Sequence, residues 1–545
     1  LIAEKLWAME ASEKGYDTSS VIKYSMNSLE KLYVRDALYK EEIDKKVKIT
    51  PEEIIKGVFR SKTRLALNII SSGDSSEIFK LYSALKKGAS FDSLLQLRPD
   101  DYQMQKTPIV VKFGEIGEEY IEDTLYNLKP GAFSSPLKTA KGWFIFRLKN
   151  RESVIFDNKK NSEISKEAKE VIRHRKALKL ESAYLKKLLP SAKVEAVNGL
   201  FWRIVDKSTP VLAAKKALPE NSKGKVYLDE NDVSEMLKQF GSDSLSMTFI
   251  KINKNNVTLR DFLYSFVTEG FAIEDPVYDN VASDIKTYLD TYIKNEVLSE
   301  QAYKEGLQNM PDVKREMKWW KENYTAHILR NQFLDSAKVS DEEVKEYYRK
   351  INSGSRQVTE VNIIEILTNR LEDIEEIMNA LQKGKDFREL AKIYNRRQTT
   401  KGKDGESGFF PVTMYGELGK IAERMKIGDV YGPLKQTDGY SIFKLIGKKE
   451  KSDSLSKSFD DLKAQLKDDL FNQKLDNSFN KYTAKLAAKY GVKVNKEVLN
   501  SINVGKINMF TSRIMGFGGR IAAIPYTAPF YQWIKEWIRQ SRLNP

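Results

Sequence analysis

The feature that most limits how this chain can fold is that it repeats itself. "LWAMEASEKGY" (residues 6–16) resembles "VLSEQAYKEGL" (297–307), and "KVKITPEEI" (46–54) resembles "SAKVSDEEV" (336–344). "ALKKGASFDSLL" (84–95) resembles "ALQKGKDFRELA" (380–391), and "KPGAFSSPLKTAKGWFIFRL" (129–148) resembles "KIGDVYGPLKQTDGYSIFKL" (426–445). The four offsets are 291, 290, 296 and 297 residues. Spacing so nearly constant reads as an internal duplication, in which each half must bury the same pattern of apolar positions. The length agrees, since 545 residues exceed one core and suit about three or four domains. The second half also carries "NVTLRDFLYSFV" (256–267) ahead of its matched region. The first half has no room for the equivalent, so natural sequence is expected upstream of Leu1.

Each half follows one order. Amphipathic helices come first, with apolar residues at helical spacing (Leu32, Val34, Leu38, Ile43; Trp320, Ile328, Leu329, Phe333). In the second half, Ser340 followed three residues on by Glu343 is a capping-box pattern. A compact mixed α/β unit comes next, at about 62–150 and 357–449. A long charged helix follows, and a short extended stretch ("AKVEAVNGLFWRIV" or "GVKVNKEVLNSINV") closes each half. Residues 206–225, "DKSTPVLAAKKALPENSKGK", read as a connector.

Composition excludes several chemistries. There is no cysteine, so neither a disulfide nor a thiolate metal site is available. The two histidines, His174 and His327, both fall in helical stretches. No metal site or cofactor is expected. The net charge of +15 comes from interleaved Lys and Glu, which reads as a solvated surface; no nucleic-acid motif and no small-molecule site stands out. No apolar run reaches the roughly 20 residues that span a bilayer.

The second mixed unit runs from strand "EVNIIEILT" through helices "LEDIEEIMNALQKG" and "DFRELAKIYN" to "GESGFFPV", helix "ELGKIAERM" and "GDVYGPLKQTDGYSIFKLIGKK". This order, with Gly405–Phe410 and the helix-Gly-x-x-x-x-Pro-strand ending, resembles the parvulin family of peptidyl-prolyl isomerases. The resemblance covers 357–449 and, more loosely, 62–150. The larger plan is similar to the exported chaperone-isomerases of the SurA, PrsA and PpiD group. It implies an α+β, multidomain fold: two parvulin-like α/β domains embedded in SurA-like helical chaperone modules. The expected division is a helical module truncated at its start (1–60), parvulin-like domain 1 (61–150), a returning helix and strand (151–205), a connector (206–245), a second helical module (246–355), parvulin-like domain 2 (356–450), a C-terminal helix and strand (451–505) and an aromatic tail (506–545).

An X-Pro bond turns over a barrier near ~20 kcal/mol, and its catalysis needs neither nucleophile nor metal. The resemblance implies an apolar slot beside a polar cluster of two histidines and a Cys or Asp. In the second unit the slot positions are Met414, Leu418 and Phe410. The first-strand histidine position is Glu365, the Cys/Asp position is Arg397 and the last-strand histidine position is Ser441. In the first unit, Asn68 and Phe144 stand for the two histidines. Both histidines are therefore missing twice.

Three readings stay open. One is a periplasmic folding chaperone that binds unfolded exported or outer-membrane clients, with weak or lost isomerase activity. Another is an active isomerase using Glu365, Ser441, Arg397 and the slot. The third is a fixed subunit of an outer-membrane insertion or secretion assembly, docked through Phe530, Trp533, Ile534 and Trp537 of the tail. In every case the partners are unfolded polypeptides or envelope proteins.

Overall fold

The computed structural model describes the chain except residues 19, 99–107, 154–160, 219–223, 335–336, 353–355, 413, 437–438, 454–458, 494, 503–511, 518–519, 524–529 and 544–545. The chain divides into two compact units, Leu38–Val194 on one side and Leu1–Ala37 with Glu195–Pro545 on the other. Among the described residues no helix is long and apolar enough to cross a membrane.

Helices α1 (Ile2–Glu13), α2 (Ser20–Glu42) and α3 (Pro51–Ser61) open the chain. Strand β1 (Thr63–Ser72), helices α4 (Ser75–Lys86) and α5 (Phe91–Gln96), β2 (Ile109–Val111), α6 (Glu119–Asn127), β3 (Leu137–Thr139), β4 (Gly142–Ser153) and α7 (Asn161–Leu188) follow. Next come β5 (Val194–Ala196), α8 (Asn198–Lys216), β6 (Val226–Tyr227), α9 (Glu230–Lys238), α10 (Ser242–Ser246), β7 (Thr248–Ile252), β8 (Asn255–Thr258), α11 (Leu259–Thr268), β9 (Ala272–Ile273), α12 (Tyr278–Lys304), α13 (Pro311–Asn331) and α14 (Asp341–Asn352). The last stretch holds β10 (Arg356–Thr368), α15 (Leu371–Gln382), α16 (Phe387–Tyr394), α17 (Gln398–Lys401), β11 (Phe410–Pro411), α18 (Glu417–Arg424), β12 (Val430–Gln436), β13 (Gly439–Asp453), α19 (Phe459–Tyr490), α20 (Lys496–Ser501), β14 (Ser512–Met515), β15 (Arg520–Ala523) and α21 (Gln532–Leu543).

In the unit Leu38–Val194, four antiparallel strands lie in the order β2-β1-β4-β3. Leu65, Leu67, Phe146 and Leu148 pack on α6 from one face, and Ile70 and Ile145 pack with α4 and α5 on the other. Thr50 and Glu53 close a capping box at the start of α3, satisfying backbone donors that the first helical turn leaves free.

In the other unit the sheet order is β11-β10-β13-β12, the same pattern of strands. Its two faces are filled by Val361, Ile363, Phe443 and Leu445 on one side, and by Ile364, Ile366 and Ile442 on the other. The alternation follows from the period-two geometry of a strand. Ser340 and Glu343 exchange the expected capping bonds, Glu343 N donating to Ser340 Oγ at 3.3 Å and Ser340 N to Glu343 Oε2 at 2.9 Å.

A helical bundle in the same unit gathers α1, α13, α19 and α21. Trp7, 1% exposed, sits at its centre, edge-on to Phe333 at 5.1 Å and Phe479 at 5.4 Å. Its indole nitrogen donates to Thr483 Oγ1 at 2.7 Å, so the buried ring leaves no polar atom unmatched. Glu10 on α1 accepts from Lys489 Nζ at 2.7 Å and from the hydroxyls of Tyr482 and Tyr490 at 3.0 Å each. Burial pushes the Glu10 carboxyl up, but the bonds from Lys489, Tyr490, Tyr482 and Lys14 outweigh it and hold the group at about 2.

Three expectations change. The residues read as the start of a connector form the second half of α8, which runs through Pro210. Leu200, Ile204, Val205 and Leu212 are buried from one helical face, and that burial outweighs the backbone bond the proline removes. The closing extended stretches are mostly helical too: only Val194–Ala196 is strand in the first, and α20 occupies the second. Third, most of the tail stripe is covered within the chain. Trp533 is 3% exposed inside the bundle core, with Phe530 and Trp537 packed against it. Arg330 lies over the Phe530 ring at 5.9 Å and Arg424 over Tyr531 at 5.1 Å. Of the four stripe residues only Ile534, 39% exposed, faces outward. An amphipathic end helix satisfies its apolar side on the chain's own helices before any partner is needed.

Trp533→Ala is expected to destabilise this bundle by about 3–5 kcal/mol and Ile534→Ala by about 0.5 or less, read from urea unfolding. The Glu10 carboxyl, depressed from an unfolded value of 4.5 to about 2, contributes stability that is complete above pH ~4.5 and lost as pH falls toward ~2. Acid unfolding of the wild type should therefore be steeper across that window than that of Glu10→Gln, whose neutral-pH stability is already lower by about 3 kcal/mol.

Candidate functional site

Glu365 lies on β10 and Ser441 on β13, where Leu367 is directly opposite Ser441 and Glu365 is opposite Phe443. Both side chains project from the face that carries Val361, Ile363, Phe443 and Leu445, because residues two apart share a side. A bulge between Asn362 and Ile363 sets that parity. Ser441 Oγ donates to Glu365 Oε1 at 2.6 Å. From the loop after α16, Arg397 donates through Nε to Glu365 Oε2 at 2.5 Å and through Nη2 to Oε1 at 2.9 Å. The same Nη2 reaches Gln436 Oε1 on β12 at 2.8 Å. The three positions singled out in the sequence thus meet in one buried cluster, with Glu365 3% exposed and Ser441 fully buried.

Two further residues build this arrangement, and the first of them escaped the sequence reading. Buried Asn395 accepts at Oδ1 from the backbone N–H of Leu367 and of Arg397, both at 3.1 Å, and donates to Thr400 Oγ1 at 2.9 Å. It fastens the Arg397 loop to β10; its signal was an Asn at the end of a helix before a polar turn. Gly405 is the second. Its carbonyl accepts from the Glu365 N–H at 2.8 Å, and a Cβ there would stand 2.4 Å from the Glu365 carbonyl oxygen. With φ at +82°, only glycine suits both the conformation and the approach.

The slot positions lie on the same face. Phe410 and Leu418 are buried in the cluster of Val361, Ile363, Tyr431 and Phe443, and Met414 is half-buried against it. Leu418 and Phe410 are therefore core side chains, and of the three only Met414 keeps an open flank. Tyr415, absent from the sequence reading, sits beside it, 50% exposed, edge-on to Phe410 at 5.0 Å.

The first unit departs from this pattern, and its register corrects one assignment. Its bulge falls between Ala66 and Leu67, which places Leu67 opposite Leu148 as Ile363 is opposite Leu445. Counting onward, Ile69 opposite Phe146 matches Glu365 opposite Phe443, and Ser71 opposite Phe144 matches Leu367 opposite Ser441. The counterpart of Glu365 is Ile69, not Asn68. A slip of one residue reverses the face: Asn68 points away from Phe144 and accepts from Arg147 at 3.0 Å. Both polar positions are therefore apolar in the first unit, Ile69 and Phe144 packing in one cluster.

A cavity of about 320 Å³ lies elsewhere, among α2, α11 and α12. Its charged lining is paired internally, Lys31 with Glu296 at 2.8 Å, and Glu269 with Arg35 at 2.9 Å. Among the described residues no group of His, Cys, Asp or Glu is placed to hold a metal ion.

Residues 368–447, which carry β11, β12 and most of β13 together with Arg397, Gln436 and Ser441 of the polar cluster, match the family model of the PPIC-type peptidyl-prolyl isomerase, or rotamase, domain. The chain is similar to the foldase protein PrsA of a Geobacillus species, 27% identical over 41% of this chain and 78% of the relative, and to that of Geobacillus kaustophilus, 26% identical over 43% and 81%. A crystal structure of the peptidylprolyl isomerase PrsA from Bacillus anthracis aligns at 24% identity over 40% of this chain and 90% of that one, with a TM-score of 0.18. The chain carries a parvulin domain and has PrsA-like foldases as its homologues.

Glu365→Ala strands the Arg397 guanidinium in a mostly buried site and is expected to cost about 3–5 kcal/mol. Ser441→Ala removes one donor and should cost about 1–2 kcal/mol. Chemical unfolding of the two variants, followed through the β10–β13 sheet by amide exchange, checks the ranking.

Proposed function

We propose that this protein is a folding chaperone of the PrsA and SurA kind, acting outside the cytoplasm, in a periplasm, on unfolded secreted or outer-membrane polypeptides. In this reading the domain at 356–450 takes prolyl segments beside Met414, turns them weakly, and mainly holds them. The two sheets of like order are read as copies, the first retained for its scaffold alone. The observation that carries the reading is the closure of the polar cluster. Both oxygens of Glu365 are taken up by Ser441 and Arg397, and Arg397 also reaches Gln436. A network satisfied within itself stiffens the sheet but presents little to a twisting amide, which favours donors aimed at the charge it develops.

A second reading, an active isomerase, is favoured by one feature: the cluster and the apolar slot share a face of the sheet. The two readings part on rates. The whole chain should delay aggregation of a denatured outer-membrane or secreted polypeptide at near-equimolar ratio. It should accelerate a prolyl tetrapeptide only slightly, and Met414→Ala should remove that residue of activity. Failure to delay aggregation would sink the chaperone reading. Strong acceleration, lost in both Met414→Ala and Ser441→Ala, would install the isomerase instead.

A further inference from the structure

Tyr415 stands where the slot meets the polar cluster, and its backbone is unusual. Its φ is +60° and that of Gly416 is +55°. A bulky aromatic residue in the left-handed region is an outlier that persists only where its surroundings dictate it. Here the turn is forced by the close seating of α18: a Cβ on Gly419 would meet the carbonyl oxygens of Val412 and Met414 at 2.2 and 2.4 Å. The consequence is that the chain turns the Tyr415 ring out of the core while its neighbours Val412 and Leu418 stay buried. The exposed ring meets Phe410 at an interplanar angle of 88° and lies 6.0 Å from the Arg397 guanidinium.

We infer that Tyr415 is a specificity-determining residue that receives the side chain preceding proline and selects an aromatic one there. The inference rests on the reading that Met414 flanks a prolyl slot. Two groups beside that slot could read the preceding side chain. One is Arg397, but its charge is met by both oxygens of Glu365, so an acidic residue finds little there. The other is the open ring of Tyr415, already held at one edge by Phe410 and free to take a second aromatic partner in an offset or edge-on pair. A client segment with Phe, Tyr or Trp before proline would bury that ring together with its own.

The test uses the whole chain and blocked tetrapeptides Ala-X-Pro-Ala, with X as Phe, Ala or Glu, binding being followed by calorimetry. The Phe peptide should bind about two- to tenfold more tightly than the Ala peptide, the range of one aromatic pair, with Glu no better than Ala. Tyr415→Gly, which suits the positive φ and so keeps the fold, should collapse the Phe-to-Ala ratio toward one. Tyr415→Phe should keep it, because the ring and not the hydroxyl makes the pair. A ratio that survives in Tyr415→Gly, or a preference of the wild type for Glu, overturns the inference. If Phe and Ala peptides bind equally well to the wild type, Tyr415 loses its role while the slot stands. If no prolyl peptide binds, the slot falls and Tyr415 with it.

Discussion

A carboxylate buried in a sheet is a demand that the surrounding chain must meet, and Glu365 makes that demand here. An ionised group out of water is tolerated only with partners on each oxygen. Ser441 is brought within 2.6 Å by strand register, and Arg397 is brought in by a loop that Asn395 ties to β10. Gly405 lets the next segment approach the Glu365 backbone. Register, loop and turn are separate features of the sequence, and they agree because one charge must be satisfied. The apolar cluster on the same face then surrounds the group with low-dielectric material, which strengthens each of those bonds.

Much of this plan was legible in the sequence. Offset repeats, capping patterns and alternating apolar strands implied two like sheets among helices, and the sheet orders are alike. Glu365, Arg397 and Ser441 were singled out as positions, and they touch. Register was harder. Asn68 and Ile69 are adjacent, and the pairing of Ile69 opposite Phe146 is what puts it, rather than Asn68, on the face of Phe144. Tyr415 was invisible for a related reason, since its orientation comes from a positive φ imposed by the packing of α18 rather than from its own preferences. Pro210 masked a helix because local propensity is a weak guide where four apolar side chains can be buried at once. The tail stripe was read correctly as amphipathic, but a stripe alone does not say whose surface it covers.

Seen as chemistry, the site is a carboxylate–guanidinium pair closed by a hydroxyl. The arrangement sets that pair beside an apolar cluster on the same face of the sheet. The first sheet carries Ile69 and Phe144 instead, so its face is apolar where the second is charged. Two sheets of like strand order thus differ in the chemistry of the same face.

The bundle around Trp7 has a consequence in time. Its indole bonds to Thr483, a contact that spans 476 positions of the chain. Closing so long a loop costs little extra free energy, because the penalty grows only with the logarithm of length. Synthesis is less forgiving. At about 5–20 residues per second, Thr483 follows Trp7 by on the order of a minute. α13 and Phe333 reach Trp7 earlier, but the face of α1 toward α19 has no native neighbour until that interval ends. The packing of α1 is therefore completed only when α19 and α21, near the far end of the chain, have been made.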